Sequence, residues 1–185
     1  MKPSVRVELV VEEPRWRQGG AGLVADLRRA ADAAVLHVER ARTIAETGTR
    51  AGETRALPAP SPRARLGLTI LLADDARLED LNARFRGKKR PTNVLSFPAT
   101  GQDAGYLGDI AIAYGVAARE AAEAGKTMRE HAIHLTVHGV LHLLGYDHET
   151  VREARMMEPL EITILAELGI ANPYLVRPAL AATVD

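Results

Sequence analysis

The sequence predicts an α/β (α+β) fold: one domain over residues 1–185, a small mixed four-stranded sheet packed by about five helices. Three observations predict it. Short apolar runs bounded by turn residues are interleaved with longer stretches of helical periodicity. Their order, β-α-β-α-β-β-α-α-α, suits helices laid on a small sheet. The chain of 185 residues, 46% hydrophobic and 26% charged, is long enough and apolar enough for one self-sufficient core.

The elements follow in order. Val5 to Val11 alternates apolar and polar residues and then turns apolar, which reads as a strand. After Gly19-Gly20, the residues Leu23, Leu27, Ala30, Ala31, Ala34 and Val38 recur at helical spacing. Residues 41–65 have little periodicity and include Pro58, Pro60 and Pro62, so a long flexible surface loop is expected there. Leu66 to Ala73 is almost wholly apolar and fits a buried strand. Asp74-Asp75 offers an N-cap to a short helix marked by Leu78, Leu81, Ala83 and Phe85. Pro91-Thr92 is a turn, and Val94 to Phe97 is a short strand stopped by Pro98. Gly101 to Gly108 reads as a loop and Ile110 to Ala113 as the next strand. From Gly115 the pattern is helical, broken at Gly125-Lys126-Thr127 and at Gly145. A last helix over about 150–168 ends at Gly169, leaving a short tail at 176–185.

Composition narrows the chemistry. Lys plus Arg is 24 and Asp plus Glu is 24, which argues against a body that coats nucleic acid but leaves room for a local basic patch. With no cysteine, disulfides, thiolate metal sites and cysteine nucleophiles are excluded. A transition-metal site must then use histidine and carboxylate. Arg6 and Glu8 interrupt the first apolar run, and no stretch reaches the roughly 18 apolar residues of a membrane span. A cytoplasmic location is expected.

Five of the six histidines fall between 131 and 148: His131, His134, His138, His142 and His148. His138 and His142, four apart on a helix, stack on one face with Cβ atoms about 5–6 Å apart. Gly145 can take a left-handed conformation and turn the chain so that His148 meets the same ion. The spacing equals the H-E-x-x-H-x-x-G-x-x-H zinc signature of metzincins, with Gly139 where those peptidases carry their general base. The cage is kept and the peptidase base is absent. Three neutral imidazoles leave a fourth zinc position open, as in catalytic sites. His131 and His134, earlier on the same helix, are candidates to hydrogen-bond a ligand from behind or to line a substrate groove rather than to ligate, and Asp147 or Glu149 could orient a ligand or water. His37 is alone in the first helix.

Arg84, Arg86, Lys88, Lys89 and Arg90 place five cations in seven positions before the Pro91-Thr92 turn. A guanidinium matches a phosphate through two parallel hydrogen bonds, so Arg86 could clamp a scissile phosphate while Lys88, Lys89 and Arg90 follow its neighbours. Taken alone, a solvated helix end explains the cations better, but beside a hydrolytic metal site that lacks a peptidase base, phosphate becomes the better substrate. Asn93 and Ser96 could face a metal cleft or cap the turn, and Asp109 reads as a turn residue.

The run Leu81-Asn82-Ala83-Arg84-Phe85-Arg86-Gly87-Lys88-Lys89-Arg90-Pro91-Thr92-Asn93-Val94-Leu95-Ser96-Phe97-Pro98 resembles the hallmark segment of the YbeY family. Leu107-Gly108-Asp109-Ile110 resembles its next block, and His138 to His148 its zinc motif, with glycine in place of glutamate. The resemblance covers about residues 66–175. It implies a zinc-dependent, single-strand-specific endoribonuclease acting in maturation of the 16S rRNA 3′ end and in ribosome quality control. One Zn2+ per chain would sit on His138, His142 and His148 of a zincin-like helix, with Arg86 as the basic residue of the cleft. The implied partners are single-stranded RNA, the 16S rRNA precursor and the small ribosomal subunit or its proteins, without DNA or membrane. A zinc-containing assembly module without catalysis, a metal peptidase and a phosphatase are the competing readings.

Overall fold

The computed structural model describes residues 5–19, 22–48, 66–100 and 105–175. The elements are β1 (Arg6–Val11), α1 (Leu23–Gly48), β2 (Gly67–Ala73), α2 (Asp75–Arg86), β3 (Val94–Pro98), β4 (Tyr106–Ala113), α3 (Tyr114–Glu123), α4 (Met128–Leu143) and α5 (Val151–Glu167), with a 3-10 turn over Pro14–Gly19. The strands form one mixed sheet in the order β1-β2-β4-β3. β1, β2 and β4 are parallel, and β3 runs antiparallel along the free side of β4 as an edge strand. Among the described residues, four strands and five helices in the expected order make this the α+β fold that the sequence pattern implies.

Two boundaries differ from the sequence reading. α1 does not stop near residue 40 but continues to Gly48. The remainder of the segment read as a loop, 49–65, lies outside the described residues, as does the tail at 176–185. β4 begins at Tyr106 rather than Ile110, so Gly108 and Asp109 are strand residues opposite Pro98 and Phe97. Gly108 belongs there because an added Cβ would lie 2.1 Å from the Phe97 carbonyl oxygen.

Alternation along the strands sorts the helices onto two faces. Leu68, Ile70 and Leu72 of β2 and Ile110 and Ile112 of β4 join the main core with α1, α4 and α5. Leu95, Ala111 and Ala113 point the other way, into a smaller cluster with Leu78 of α2. Asp74 caps α2 by accepting from the Arg77 N–H at 2.8 Å. Among the described residues, no helix is long and apolar enough to cross a membrane.

α4 is the hub. Thr127 and Glu130 close a reciprocal capping box at its start. Ten of its sixteen positions are buried, so it is covered on almost every side. Gly139 faces the sheet so closely that an added Cβ would lie 2.9 Å from Cγ2 of the buried Ile110. The Ser96 hydroxyl, on β3, donates to the Gly139 carbonyl at 3.3 Å. On the far side, Asp26 of α1 accepts from Arg29 and from Arg129 of α4 and is itself buried. The hydrogen bond from Arg129, joined by that from Arg29, outweighs desolvation and holds its carboxyl below the usual aspartate value.

Gly139→Ala should destabilise the fold by about 1–3 kcal/mol through overpacking. Its cost and that of Ile110→Ala should combine to less than their sum in urea denaturation of the double variant, because the two changes relieve one clash. Asp26→Asn should also destabilise, in a pH-dependent way. A lowered folded pKa supplies stability above the unfolded value of about 3.9 and loses it as the pH falls through the folded one. The gap between wild type and Asp26→Asn should therefore be full near neutral pH and shrink progressively below about pH 4.

Candidate metal centre and basic turn

α4 positions His131, His134, His138 and His142 along one helix, and the next turn supplies the fifth histidine. Gly145, at φ 90°, follows the helix end. Its N–H donates to the His142 carbonyl, and the Tyr146 N–H donates to that of Leu141, each at 3.0 Å, which is the Schellman closure. Arg42 of α1 donates to the Leu144 carbonyl at 3.2 Å and fixes this turn from the side. The chain then doubles back and His148 arrives beside the helix, as the position of Gly145 predicts.

The imidazoles of His138, His142 and His148 converge. Ring centroids are 4.6 Å apart for His138–His142 and 5.1 Å for each pairing with His148. The three offer ligand nitrogens all within 4.8 Å of one another. Nε2 of His138 and Nε2 of His142 are 3.1 Å apart. Two nitrogens on one tetrahedral ion with bonds of about 2.0–2.1 Å would sit about 3.3 Å apart, so the donor set fits a metal ion. Burial, with His138 and His148 alongside, pushes the His142 pKa down to about 4, so this ring is neutral and a ready ligand at physiological pH.

Behind the rings lies Glu161 of α5, which is fully buried. Its Oε1 is 3.2 Å from Nδ1 of His138 and 3.2 Å from Nε2 of His134. Its Oε2 accepts from the hydroxyl of Tyr174. Burial alone would push this carboxyl up, but the hydrogen bonds from His134 and His138 hold it well below the usual range. Burial and the bond to Glu161 push the Tyr174 hydroxyl up, so it remains a donor. An ionised carboxylate can only accept. Nδ1 of His138 therefore carries the proton, and Nε2 presents its lone pair to the cluster.

Glu161 and Tyr174 were not singled out in the sequence. The available signal was a charged residue on the apolar stripe of the last helix, among Met157, Ile164 and Leu165. The other candidates are placed as follows. His134 reaches Glu161, not the ligand cluster. Asp147 accepts from the His148 N–H at 2.8 Å and stands 3.9 Å from Nδ1 of His142, beyond hydrogen-bond length. His131 meets Glu120 of α3 at 2.8 Å, and Asn93 donates to that same carboxylate, so both tie α3, α4 and the start of β3 together. Asp109 accepts from the Tyr106 hydroxyl at 2.6 Å. Position 139 points into the sheet, so a glutamate there would collide with Ile110 instead of serving a metal site.

The basic residues sit on the other face of the sheet. Arg86 ends α2, and Lys88, Lys89 and Arg90 follow it, all exposed. The buried Asn82 shapes this turn: its side-chain amide donates to the Arg90 carbonyl at 2.8 Å and its own carbonyl accepts from the Lys88 N–H at 3.2 Å. No contact joins Arg86 to the histidines, but α2 and α4 meet adjacent residues of the same edge strand. Phe85 packs on Phe97 with ring centroids 5.1 Å apart, while Ser96 holds Gly139. The cations and the imidazoles thus flank one end of β3.

Known proteins resemble this chain in sequence and in fold. The family described as Endoribonuclease YbeY matches residues 37–169. A relative named Endoribonuclease YbeY from Dinoroseobacter shibae is 50% identical over 130 residues, covering 61% of this chain and 72% of its own. Another of that name, from Rhodopseudomonas palustris, is 50% identical over 134 residues, covering 69% of this chain and 70% of its own. A solution structure of a Thermotoga maritima protein superposes with a TM-score of 0.53 over 88% of both chains at 21% identity, a likeness of fold.

Glu161→Gln should lower metal affinity about 10–100-fold, because the amide replaces an anion that orients and polarises His138. Competition against a chromophoric chelator measures this directly. Unchanged affinity in a folded variant would remove Glu161 from the metal centre.

Proposed function

Because the chain belongs to the YbeY family of endoribonucleases, we propose that it is a zinc-dependent, single-strand-specific endoribonuclease of the cytoplasm. Its substrate in this reading is the 16S rRNA precursor on the small ribosomal subunit, in 3′-end maturation and in ribosome quality control. The observation that carries the reading is the placement of three convergent imidazoles and an exposed arginine-rich turn on either side of one edge strand.

His138, His142 and His148 hold the metal. A bound zinc ion supplies Lewis acidity toward the scissile phosphate and acidifies a water molecule. Glu161 fixes the His138 tautomer and keeps an anion behind the ligands. Arg86 forks onto the non-bridging oxygens and offsets the charge that grows as phosphorus becomes five-coordinate. Lys88, Lys89 and Arg90 grip the flanking phosphates, which sets register along the strand without reading its sequence.

A metal peptidase is disfavoured by the packing of position 139, since the general base of that chemistry has no room there. A zinc-containing assembly module without catalysis predicts a metal that RNA cleavage ignores.

Cleavage of an end-labelled single-stranded RNA tests the proposal. Wild-type protein should hold about one zinc ion per chain, as three open-site ligands imply, and should cut. His142→Ala should lose both metal and cutting. Arg86→Ala should keep its metal and cut about 100–1,000-fold more slowly. Equal cutting by all three would assign the nuclease to a contaminant and favour the assembly module.

A further inference from the structure

The sheet face that α2 covers is only partly filled. Beside the helix lies a groove of about 440 Å³, within the roughly 300–1,000 Å³ span of small-ligand clefts. Its lining includes Leu71, Leu81, Phe85, Phe97, Asp109 and Ala111. Phe85 and Phe97 are the only two phenylalanines of the chain, and both lie here in contact with each other. Phe85 is nonetheless 63% exposed, an unusual position for a large aromatic ring that core packing does not need. Arg84, held by Asp80 at 3.6 Å, sets its guanidinium carbon 5.8 Å from the Phe85 ring centroid and steadies it.

Charge identifies the occupant. Phe85, which lines the groove, is followed along the chain by Arg86, Lys88, Lys89 and Arg90, four exposed cations, while the lining itself includes one carboxylate, the exposed Asp109. A phosphate would be attracted to the cations that follow Phe85 and repelled by the carboxylate in the lining. A nucleobase suits both, since every base has a face to stack on an aromatic ring and most have N–H groups that a carboxylate can accept. The groove also shares β3 with the metal centre, with Phe97 facing the groove and Ser96 facing α4.

We propose that this groove is a base-stacking subsite for single-stranded RNA, with Phe85 as its platform and the strand crossing the edge of β3 between the groove and the histidines. The proposal rests on the ribonuclease reading and adds to it a place where bases, not phosphates, are held. It also accounts for a preference for single strands, because a base must leave its duplex partner to enter the groove.

The test uses the full metal-loaded chain and a fluorescein-labelled single-stranded RNA, read by anisotropy, together with a copy carrying abasic sites. Phe85→Ala should weaken binding of the intact RNA about 5–100-fold, the loss of roughly one stacked base. The abasic strand should bind wild type and Phe85→Ala alike. Metal content should not change. Phe85→Trp should keep affinity, and its emission should be quenched by RNA, with Trp16, the chain's only other indole, buried and unresponsive. If Phe85→Ala binds intact RNA as wild type does while Arg86→Ala is impaired, the groove is not a subsite and the nuclease reading stands. If wild-type protein neither binds nor cuts RNA, both readings fail together.

Discussion

The contact between Gly139 and Ile110 sets the geometry on which the site depends. A helix backbone can approach a sheet this closely only where no Cβ intervenes, and the Ser96 hydroxyl completes the contact by bonding the Gly139 carbonyl. With α4 seated there, His138 and His142 come to the end of the helix beside β3. The metzincin spacing is kept, but the residue that would serve a peptidase has become a packing contact. One position thus leaves little room for a peptidase's base and anchors the helix that carries the histidines. The same seating puts the imidazoles next to a strand whose opposite side meets α2 and its cations.

A second constraint is the charge of Glu161. Burying a carboxylate costs several kcal/mol unless its lone pairs are satisfied. Here two imidazoles and a phenol satisfy them. The arrangement links the last helix and the segment that carries Tyr174 to the orientation of a ligand on α4. A metal ion on these rings would therefore draw on the same group as the stability of the fold. His134 is committed by this network. Its Nε2 lies 3.2 Å from the Glu161 carboxylate.

What the sequence revealed and what it hid follow one physical rule. His138, His142, Gly145 and His148 were legible because helix pitch and a left-handed glycine act locally, over eleven residues. The order of strands and helices was legible for the same reason. Glu161 was not, because its significance lies in meeting a helix 23 residues away, and an isolated glutamate on a helix is ordinarily solvated. Asn93 and Ser96 were visible as polar residues, but only the fold shows that one reaches Glu120 and the other Gly139. The early end assigned to α1 came from proline and glycine further on, whereas nothing before Gly48 breaks the helix. Gly108 resembled loop chemistry because glycine marks turns more often than it marks close strand contacts.

Charge is layered through the molecule in a way that orders these parts. An anion, Glu161, is buried behind the imidazoles, and the cations lie in solvent beyond the strand edge. A polyanion approaching from solvent meets Arg86 and its neighbours first, while the carboxylate is hidden by the rings it orients. Had the order been reversed, with an exposed acid and a buried guanidinium, the same residues would repel a phosphate and leave a cation unsatisfied. Asp109 differs from Glu161 in being an exposed acid, in the lining of the groove that Phe85 and Phe97 border. In the proposed RNA complex the exposed cations would hold phosphates, and the two carboxylates would be left to groups that donate hydrogen bonds: an imidazole N–H at Glu161 and a base N–H at Asp109.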